Sequence, residues 1–354
     1  MREAFKRIAA DARLSSLLLL AATAVALLWA NAPFGASYVT LWDTPFTIGP
    51  HGHALTLSVH AWINDALMAL FFLQVGLEIE RELLVGSLRS ARAAALPIAA
   101  AIGGMLVPAA CYLLMAGQTP NAHGWGIPMA TDIAFAIGLL GLLAPGLPPA
   151  VRAFLVALAI VDDLGAILVI AFAYGAPPDW HALGGAAGCL VVLALLRLSK
   201  VHQVTPYVLA AIPLWVFLHE GGIHPSLAGV CLAFAIPTTS RRPNEPTPSE
   251  RTEHALHSWV TVGILPLFAL ANAGVVLGDA FSPTAPFPVL SGIVLGLVVG
   301  KPVGIVAASW LAIRSGIAER PEGLTWSRIL TVGCFGGIGF TMALFVTALA
   351  FTTP

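Results

Sequence analysis

The sequence predicts an all-α polytopic membrane protein, that is, a helical chain that crosses a bilayer many times. Of its 354 residues, 58% are hydrophobic and only 10% are charged, whereas soluble globular domains carry about 25% charged residues. Long apolar runs recur along the chain, and basic residues fall in alternate loops between them. The apolar composition predicts membrane lipid as the surroundings, and the formal net charge of −1 predicts no nucleic-acid partner.

About eleven apolar runs are long enough to cross roughly 30 Å of hydrocarbon. The first follows a basic amino-terminal segment, as in a signal peptide, but it reaches the length of a spanning helix and is interpreted as an uncleaved span. Two runs, 205–219 and 223–237, are short, and one re-entrant feature is the alternative for them. The runs centre on 14–30, 60–80, 93–116, 124–143, 151–175, 181–198, 205–219, 223–237, 256–277, 288–313 and 329–350.

The basic residues predict how the chain is threaded. Sixteen of the 17 Lys and Arg residues fall at the amino terminus or in every second loop, and cytoplasmic loops are enriched in these residues. The amino terminus is therefore expected in the cytoplasm. With eleven spans, the carboxyl terminus is expected outside. The remaining basic residue, Lys301, lies inside the tenth span.

Two polar insertions interrupt the apolar pattern. In the segment 31–59, two β-type runs flank a Gly/Pro turn, which predicts a small periplasmic β-hairpin at about 38–59. The segment 238–255 is rich in Pro and polar residues and is expected to be a cytoplasmic loop.

Four ionisable residues lie inside predicted spans: Asp132, Asp162, Asp163 and Lys301. A charge at the centre of a membrane helix costs about 2.5–3.5 kcal/mol on the insertion scale, so such residues persist mainly where they line a functional cavity. A buried ion pair that holds two helices in register is the structural alternative for Lys301. That alternative does not account for three carboxylates facing one ammonium group.

The adjacent carboxylates favour an ion-exchange site. Neighbouring residues on a helix point about 100° apart, so one of Asp162 and Asp163 can meet Lys301 while the other opens to water. Two close carboxylates resist ionising together, and their oxygens suit hard cations such as Na⁺. Competition between a cation and a proton for one site is the chemistry of an exchanger, and Lys301 can release a proton when its partner takes the cation.

Two spans are predicted to be discontinuous. The fourth contains Pro128 followed by Thr131 and Asp132, and the eleventh contains Gly336, Gly337 and Gly339. Interrupted spans in corresponding halves of a transporter mark its binding site. For the glycine-rich span, a closely packed face of small residues is the alternative.

Five motifs together resemble the NhaA family of bacterial Na⁺/H⁺ antiporters, over nearly the whole chain. The motifs are WINDALMALFFLQVGLEIEREL (62–84), ATDIAFAIG (130–138), LAIVDDLGAI (158–167), GKPVGI (300–305) and GGIGFTMALF (336–345). The resemblance implies an electrogenic, pH-regulated exporter of Na⁺ or Li⁺ in the bacterial inner membrane that serves pH and sodium homeostasis. It implies a transporter that is not an enzyme and has no cofactor, with inverted repeats and two discontinuous crossing helices.

The resemblance also implies residue roles. Asp162 and Asp163 would carry Na⁺, Li⁺ and protons, with Asp162 the partner of Lys301, while Thr131 and Asp132 would occupy the break in the fourth span. The implied pH-sensing cluster comprises Glu78, Arg81, Glu82, Glu253, His254 and His257. His titrates near neutral pH, although a solvated helix start is the alternative interpretation of His254 and His257.

Family architecture implies two bundles and a dimer. Residues 93–175 and 288–350 would form the ion-binding core, and residues 14–84 and 181–277 would form the scaffold. The hairpin within 31–59 would join two copies of the chain. Family members have twelve spans, so a transport-impaired, truncated member is one alternative. An intramembrane aspartyl protease, which also uses two carboxylates, and a passive cation channel are the others.

Overall fold

A computed structural model describes residues 11–49, 54–86, 88–144, 146–175, 177–240, 242, 245–276, 278 and 287–351. Within these residues the chain is mostly helical, with one small antiparallel sheet. The helices are α1 (Ala12–Ala30), α2 (Ala36–Asp43), α3 (Val59–Leu84), α4 (Ala91–Ala116), α5 (Ile133–Leu143), α6 (Pro149–Ala173), α7 (Trp180–Leu198), α8 (Thr205–Glu220), α9 (Leu227–Ala235), α10 (Pro248–Asn272), α11 (Phe287–Arg314), α12 (Trp326–Gly336) and α13 (Phe340–Phe351).

The structure gives fewer long spans than the eleven predicted. Among the described residues, seven helices are long and apolar enough to cross a membrane, and the number rises to nine if each of two bent helix pairs is one span. The other two predicted spans correspond to α8, with 16 residues, and α9, with nine. Both are shorter than the roughly 17–25 residues of a typical spanning helix.

The predicted hairpin is partly wrong, because the first part of its first β-type run is helical. Residues Ala36–Asp43 form α2. Tyr38 and Trp42 are both buried on this helix, one turn apart, and their rings meet edge to face at 5.9 Å. The Tyr38 hydroxyl also donates to the Leu270 carbonyl at 2.8 Å. Packing of these aromatic side chains therefore overrides their preference for strands.

The sheet itself is limited to β1 (Pro45–Ile48) and β2 (Leu55–Ser58). The strands pair antiparallel, with Phe46 opposite Leu57 and Thr47 opposite Thr56. Since side chains alternate between the faces of a strand, one face is apolar and the other carries the two threonines. The predicted turn at 50–53 lies outside the described residues.

The chain separates into two compact units. The first unit comprises Leu17–Leu77 and Gly175–Ala285, with the amino-terminal Met1–Asp11, and the second comprises Glu78–Tyr174 and Pro286–Pro354, with Ala12–Ser16. Buried residues of α3, α7, α8 and α9 form a core in the first unit. In the second unit, α4, α5, α6, α11 and α12 surround another core.

Two helix breaks and a π-helical segment shape the second unit. A 3₁₀ helix, Ala122–Met129, meets α5 at a bend of 45°, and α12 meets α13 at a bend of 49°. Within α11, Gly296–Gly300 is π-helical and ends directly before Lys301. Pro302 provides the reason, because its ring clashes with the carbonyl group four residues earlier and opens the turn. The same relation holds between Pro266 and the π-helical segment Val260–Ile264 of α10.

Candidate ion site

The candidate site is built where the two broken helices of the second unit meet. The backbone N–H of Asp132 donates to the Ile338 carbonyl at 2.8 Å. The Thr131 hydroxyl donates to the Gly336 carbonyl at the same distance. Thr131 and Asp132 are buried, so these bonds satisfy backbone groups that the breaks would otherwise leave unpaired in an apolar environment.

Glycines allow this close approach of backbones. A Cβ atom on Gly337 would lie 2.3 Å from the Leu297 carbonyl oxygen, and one on Gly339 would lie 2.9 Å from the Ala130 carbonyl oxygen. Real Cβ contacts with backbone atoms are not this short. The break between α12 and α13 therefore requires glycine at these two positions.

Asp132 connects the two breaks through its carboxylate. Its Oδ1 accepts a hydrogen bond from the Phe135 N–H at 2.9 Å and thereby caps the amino-terminal end of α5. Its Oδ2 accepts from both the N–H, at 3.2 Å, and the hydroxyl group of Thr341 in α13. A carboxylate at a helix amino terminus also interacts favourably with the helix dipole.

Lys301 is fully buried and forms an ion pair with Asp162. Its Nζ lies 2.6 Å from Asp162 Oδ2 and also donates to the Met129 carbonyl at the end of the 3₁₀ helix. The structure thus brings α6, α11 and the first break together at one ammonium group. The two members of a buried ion pair depend on each other, because removing either one leaves the other as an uncompensated buried charge.

Asp162 and Asp163 supply oxygen atoms that could hold a cation. Both residues are about 1% exposed. In the described part of the chain, Oδ1 of each carboxylate has no hydrogen-bond partner. Buried oxygens without partners are costly, and hard cations prefer carboxylate ligands. The arrangement can therefore bind a proton or a small cation in place of the missing hydrogen bonds.

The residues proposed for pH sensing occur in both units. In the second unit, the Arg81 guanidinium lies 3.9 Å from Glu78 and 3.7 Å from Glu82. In the first unit, Glu253, His254 and His257 follow the capped start of α10. The Glu253 side chain is buried, whereas His254 and His257 are exposed.

Sequence reasoning missed two groups of the site. Thr341 lies within the motif GGIGFTMALF, and a hydroxyl residue beside a glycine-rich break was the available signal. The Met129 carbonyl has no side-chain signal. It becomes a partner for Lys301 only because the 3₁₀ helix ends there.

Comparisons with known proteins identify the family. The family model described as "Na+/H+ antiporter 1" matches residues 6–354. The "Na(+)/H(+) antiporter NhaA" of Rhodospirillum rubrum is 49% identical, with 96% of this chain and 86% of that protein aligned. The identically named proteins of Acidovorax sp. and Oleidesulfovibrio alaskensis are 47% and 44% identical, covering 95% and 99% of this chain and 82% and 87% of those proteins, respectively.

These matches extend over nearly the whole chain, and the family-model match spans the residues of all five motifs. Together with its apolar helices, they make the chain a multi-pass membrane protein of a transporter family and exclude the protease alternative. The chain belongs to the Na⁺/H⁺ antiporter 1 family.

Proposed function

We propose that this chain exports Na⁺, or Li⁺, in exchange for protons across the bacterial inner membrane. The observation that carries the proposal is the pair of buried carboxylates, Asp162 and Asp163, beside the buried ammonium group of Lys301. Each carboxylate has one oxygen without a hydrogen-bond partner in the described residues. The names of the relatives, which describe Na⁺/H⁺ antiporters, support this function.

The geometry suggests how a cation and protons compete. Without a cation, Lys301 pairs with Asp162, and the buried carboxylate of Asp163 holds a proton because an unpaired buried charge is costly. A bound cation replaces the proton on Asp163 and draws Asp162 away from Lys301, which then releases its own proton. One cation is exchanged for two protons in this scheme, so the exchange is electrogenic.

The same proposal includes the membrane topology. We infer eleven crossings, with α8 and α9 as short spans; this count keeps the basic residues on one side. The amino terminus is then cytoplasmic, and α13 ends on the outer side. The two bent helices, at 45° and 49°, would be corresponding parts of two inverted repeats, as in other transporters with broken helices.

Regulation and assembly are also proposed. Glu78, Arg81 and Glu82, together with Glu253, His254 and His257, would make the activity depend on pH. The two imidazoles are exposed at the start of α10, in the same stretch of helix as the buried carboxylate of Glu253, and this placement supports the role. Replacing both with Ala and recording the transport response as a function of pH measures their contribution. The hairpin within 31–59 would join two copies of the chain.

Transport in inverted membrane vesicles tests the exchange. Vesicles that contain the chain are acidified inside by respiration, and the pH gradient is followed with a fluorescent dye. Addition of Na⁺ or Li⁺ is expected to dissipate the gradient, whereas K⁺ is not. Asp163→Asn should abolish the response, since an amide carries neither the exchanged proton nor the charge that binds the cation.

The same substitution at an exposed site provides the control. Asp179 caps the start of α7 outside the site, and Asn is an equally good capping residue. Asp179→Asn should therefore leave transport unchanged. A wild-type chain that does not respond to Na⁺, or an Asp163→Asn variant that still does, would contradict the proposed exchange.

A further inference from the structure

A groove in the second unit, with a volume of about 700 Å³, is separate from the ion site. It lies between the first turns of α4 and α6 and the segment 319–322. Its inner wall is apolar and includes the buried side chains of Leu96, Pro97, Phe154 and Ala157. This wall is formed by helices that continue as membrane spans.

The rim of the groove carries two positive and two negative side chains. Arg92 forms an exposed ion pair with Glu319, and the Arg320 guanidinium lies 5.8 Å from the ring centroid of Trp326. Glu322 completes the rim. Among the described residues, Arg92 makes one side-chain hydrogen bond, and a guanidinium has five N–H donors. The rim can therefore bind further polar groups without breaking this pair.

The groove lies at the level where lipid headgroups are expected. Here the apolar helices α4 and α6 begin, on the side of the membrane that the proposed topology assigns to the cytoplasm. Ile317 and Trp326 nearby have exposed side chains, and Trp is enriched at membrane–water interfaces. An apolar wall below a charged rim matches an amphipathic ligand whose head stays in the polar layer.

We propose that this groove binds a zwitterionic phospholipid whose headgroup contains a phosphate and a primary ammonium. The phosphate binds Arg92 and Arg320, because guanidinium groups pair well with phosphate oxygens. The ammonium binds Glu319 and Glu322, and one acyl chain lies along the apolar wall. The four rim charges sum to zero, so a purely anionic lipid would meet two repelling carboxylates. A quaternary ammonium headgroup would lack the N–H donors that the carboxylates accept from.

Lipid binding to the purified full-length chain tests the proposal without measuring transport. Phosphatidylethanolamine, phosphatidylcholine and phosphatidylglycerol with identical acyl chains are titrated in detergent, and binding is measured by native mass spectrometry. Phosphatidylethanolamine is expected to bind about tenfold more tightly than the other two, as one charge-assisted hydrogen bond would give. Equal binding of the three, or a preference for phosphatidylglycerol, would overturn the proposal.

Two variants locate the binding. Arg92→Gln with Glu319→Gln should remove the preference for phosphatidylethanolamine. Arg242→Gln with Glu245→Gln, which changes another exposed Arg–Glu pair in the first unit, should keep it. Loss of the preference in both, or in neither, would place the lipid elsewhere.

A third variant tests the acyl chain. Ala153 is exposed in the wall of the groove, so the indole of Ala153→Trp should occupy the space of the acyl chain and weaken lipid binding. Glycerophosphoethanolamine, which has no acyl chains, should still bind to the rim of this variant and compete there with the lipid. Unchanged lipid binding in this variant would also overturn the proposal. Because every readout is binding, failure here is distinguishable from failure of the proposed exchange.

Discussion

At the scale of single residues, Asp132 holds the two broken helices together. Its carboxylate caps α5 through Phe135 and accepts two hydrogen bonds from Thr341. All of these groups are buried or half-buried. Hydrogen bonds to a charged group are worth about 1.5–3 kcal/mol each, and a buried carboxylate that loses one is left partly unsatisfied.

The Thr341 hydroxyl is therefore expected to be necessary for the stability of the chain and for its transport activity. Thr341→Val keeps the shape of the side chain but removes the donor to Asp132, and it should lower the melting temperature of the purified chain and weaken Na⁺-dependent transport about tenfold or more. Thr341→Ser keeps the donor and should retain most of the thermal stability and most of the Na⁺-dependent transport. The melting temperature in detergent and the vesicle assay measure the two effects. Equal behaviour of the Val and Ser variants would show that the hydroxyl is dispensable.

The sequence predicted acidic and basic residues of the site more readily than neutral ones. A charge in an apolar span is conspicuous because it is costly, so Asp132, Asp162, Asp163 and Lys301 could be selected without a structure. The atoms that these side chains contact could not be predicted in this way. The Met129 carbonyl binds Lys301 only because of how the chain folds around it, and a backbone carbonyl leaves no trace in the sequence.

At the scale of elements, the two helix breaks have different physical causes. The first follows Pro128 and is extended at Ala130 and Asp132. Hydrogen bonds from the Thr131 hydroxyl and the Asp132 backbone replace helical ones there. The second depends on glycines that let backbones touch. Gly337 approaches the carbonyl of Leu297, which lies in the π-helical segment directly before Lys301.

Adjacent glycines in the second break should respond differently to the same substitution. A Cβ atom on Gly337 would lie 2.3 Å from a backbone oxygen, whereas one on Gly336 would lie 3.2 Å from the flexible end of the Ile305 side chain. Gly337→Ala should therefore displace the segment before Lys301, destabilise the chain by about 1–3 kcal/mol and reduce transport. Gly336→Ala should be close to wild type. Thermal unfolding and the vesicle assay distinguish them, and a tolerated Gly337→Ala would contradict this account.

Other elements show where sequence patterns fall short. Interrupted spans could be expected from Pro and Gly, but π-helical segments could not, since a membrane helix tolerates Pro in several ways. The residues from Tyr38 to Asp43 favour strands, yet they lie in α2, where Tyr38 and Trp42 are buried one helical turn apart. Local preference decides the structure only where tertiary packing does not compete with it.

At the scale of the whole molecule, the hairpin is the surface to which a second copy of the chain could bind. A two-stranded hairpin is marginally stable by itself. Here Phe46 and Leu57 pair on one face, as do Ile48 and Leu55, and Phe46 and Ile48 are each about half exposed, at 54% and 49%. An apolar face of this kind at the surface indicates an interaction site.

The proposed dimer is therefore expected to depend on one face of the hairpin. Phe46→Lys with Leu57→Glu changes the apolar face, and Thr47→Lys with Thr56→Glu changes the opposite one. Each variant replaces a directly opposed pair by opposite charges, which preserves pairing of the strands. The first should be a monomer and the second a dimer when size-exclusion chromatography with light scattering is run in detergent. If both variants stay dimeric, or both become monomeric, the apolar face does not hold the two copies together.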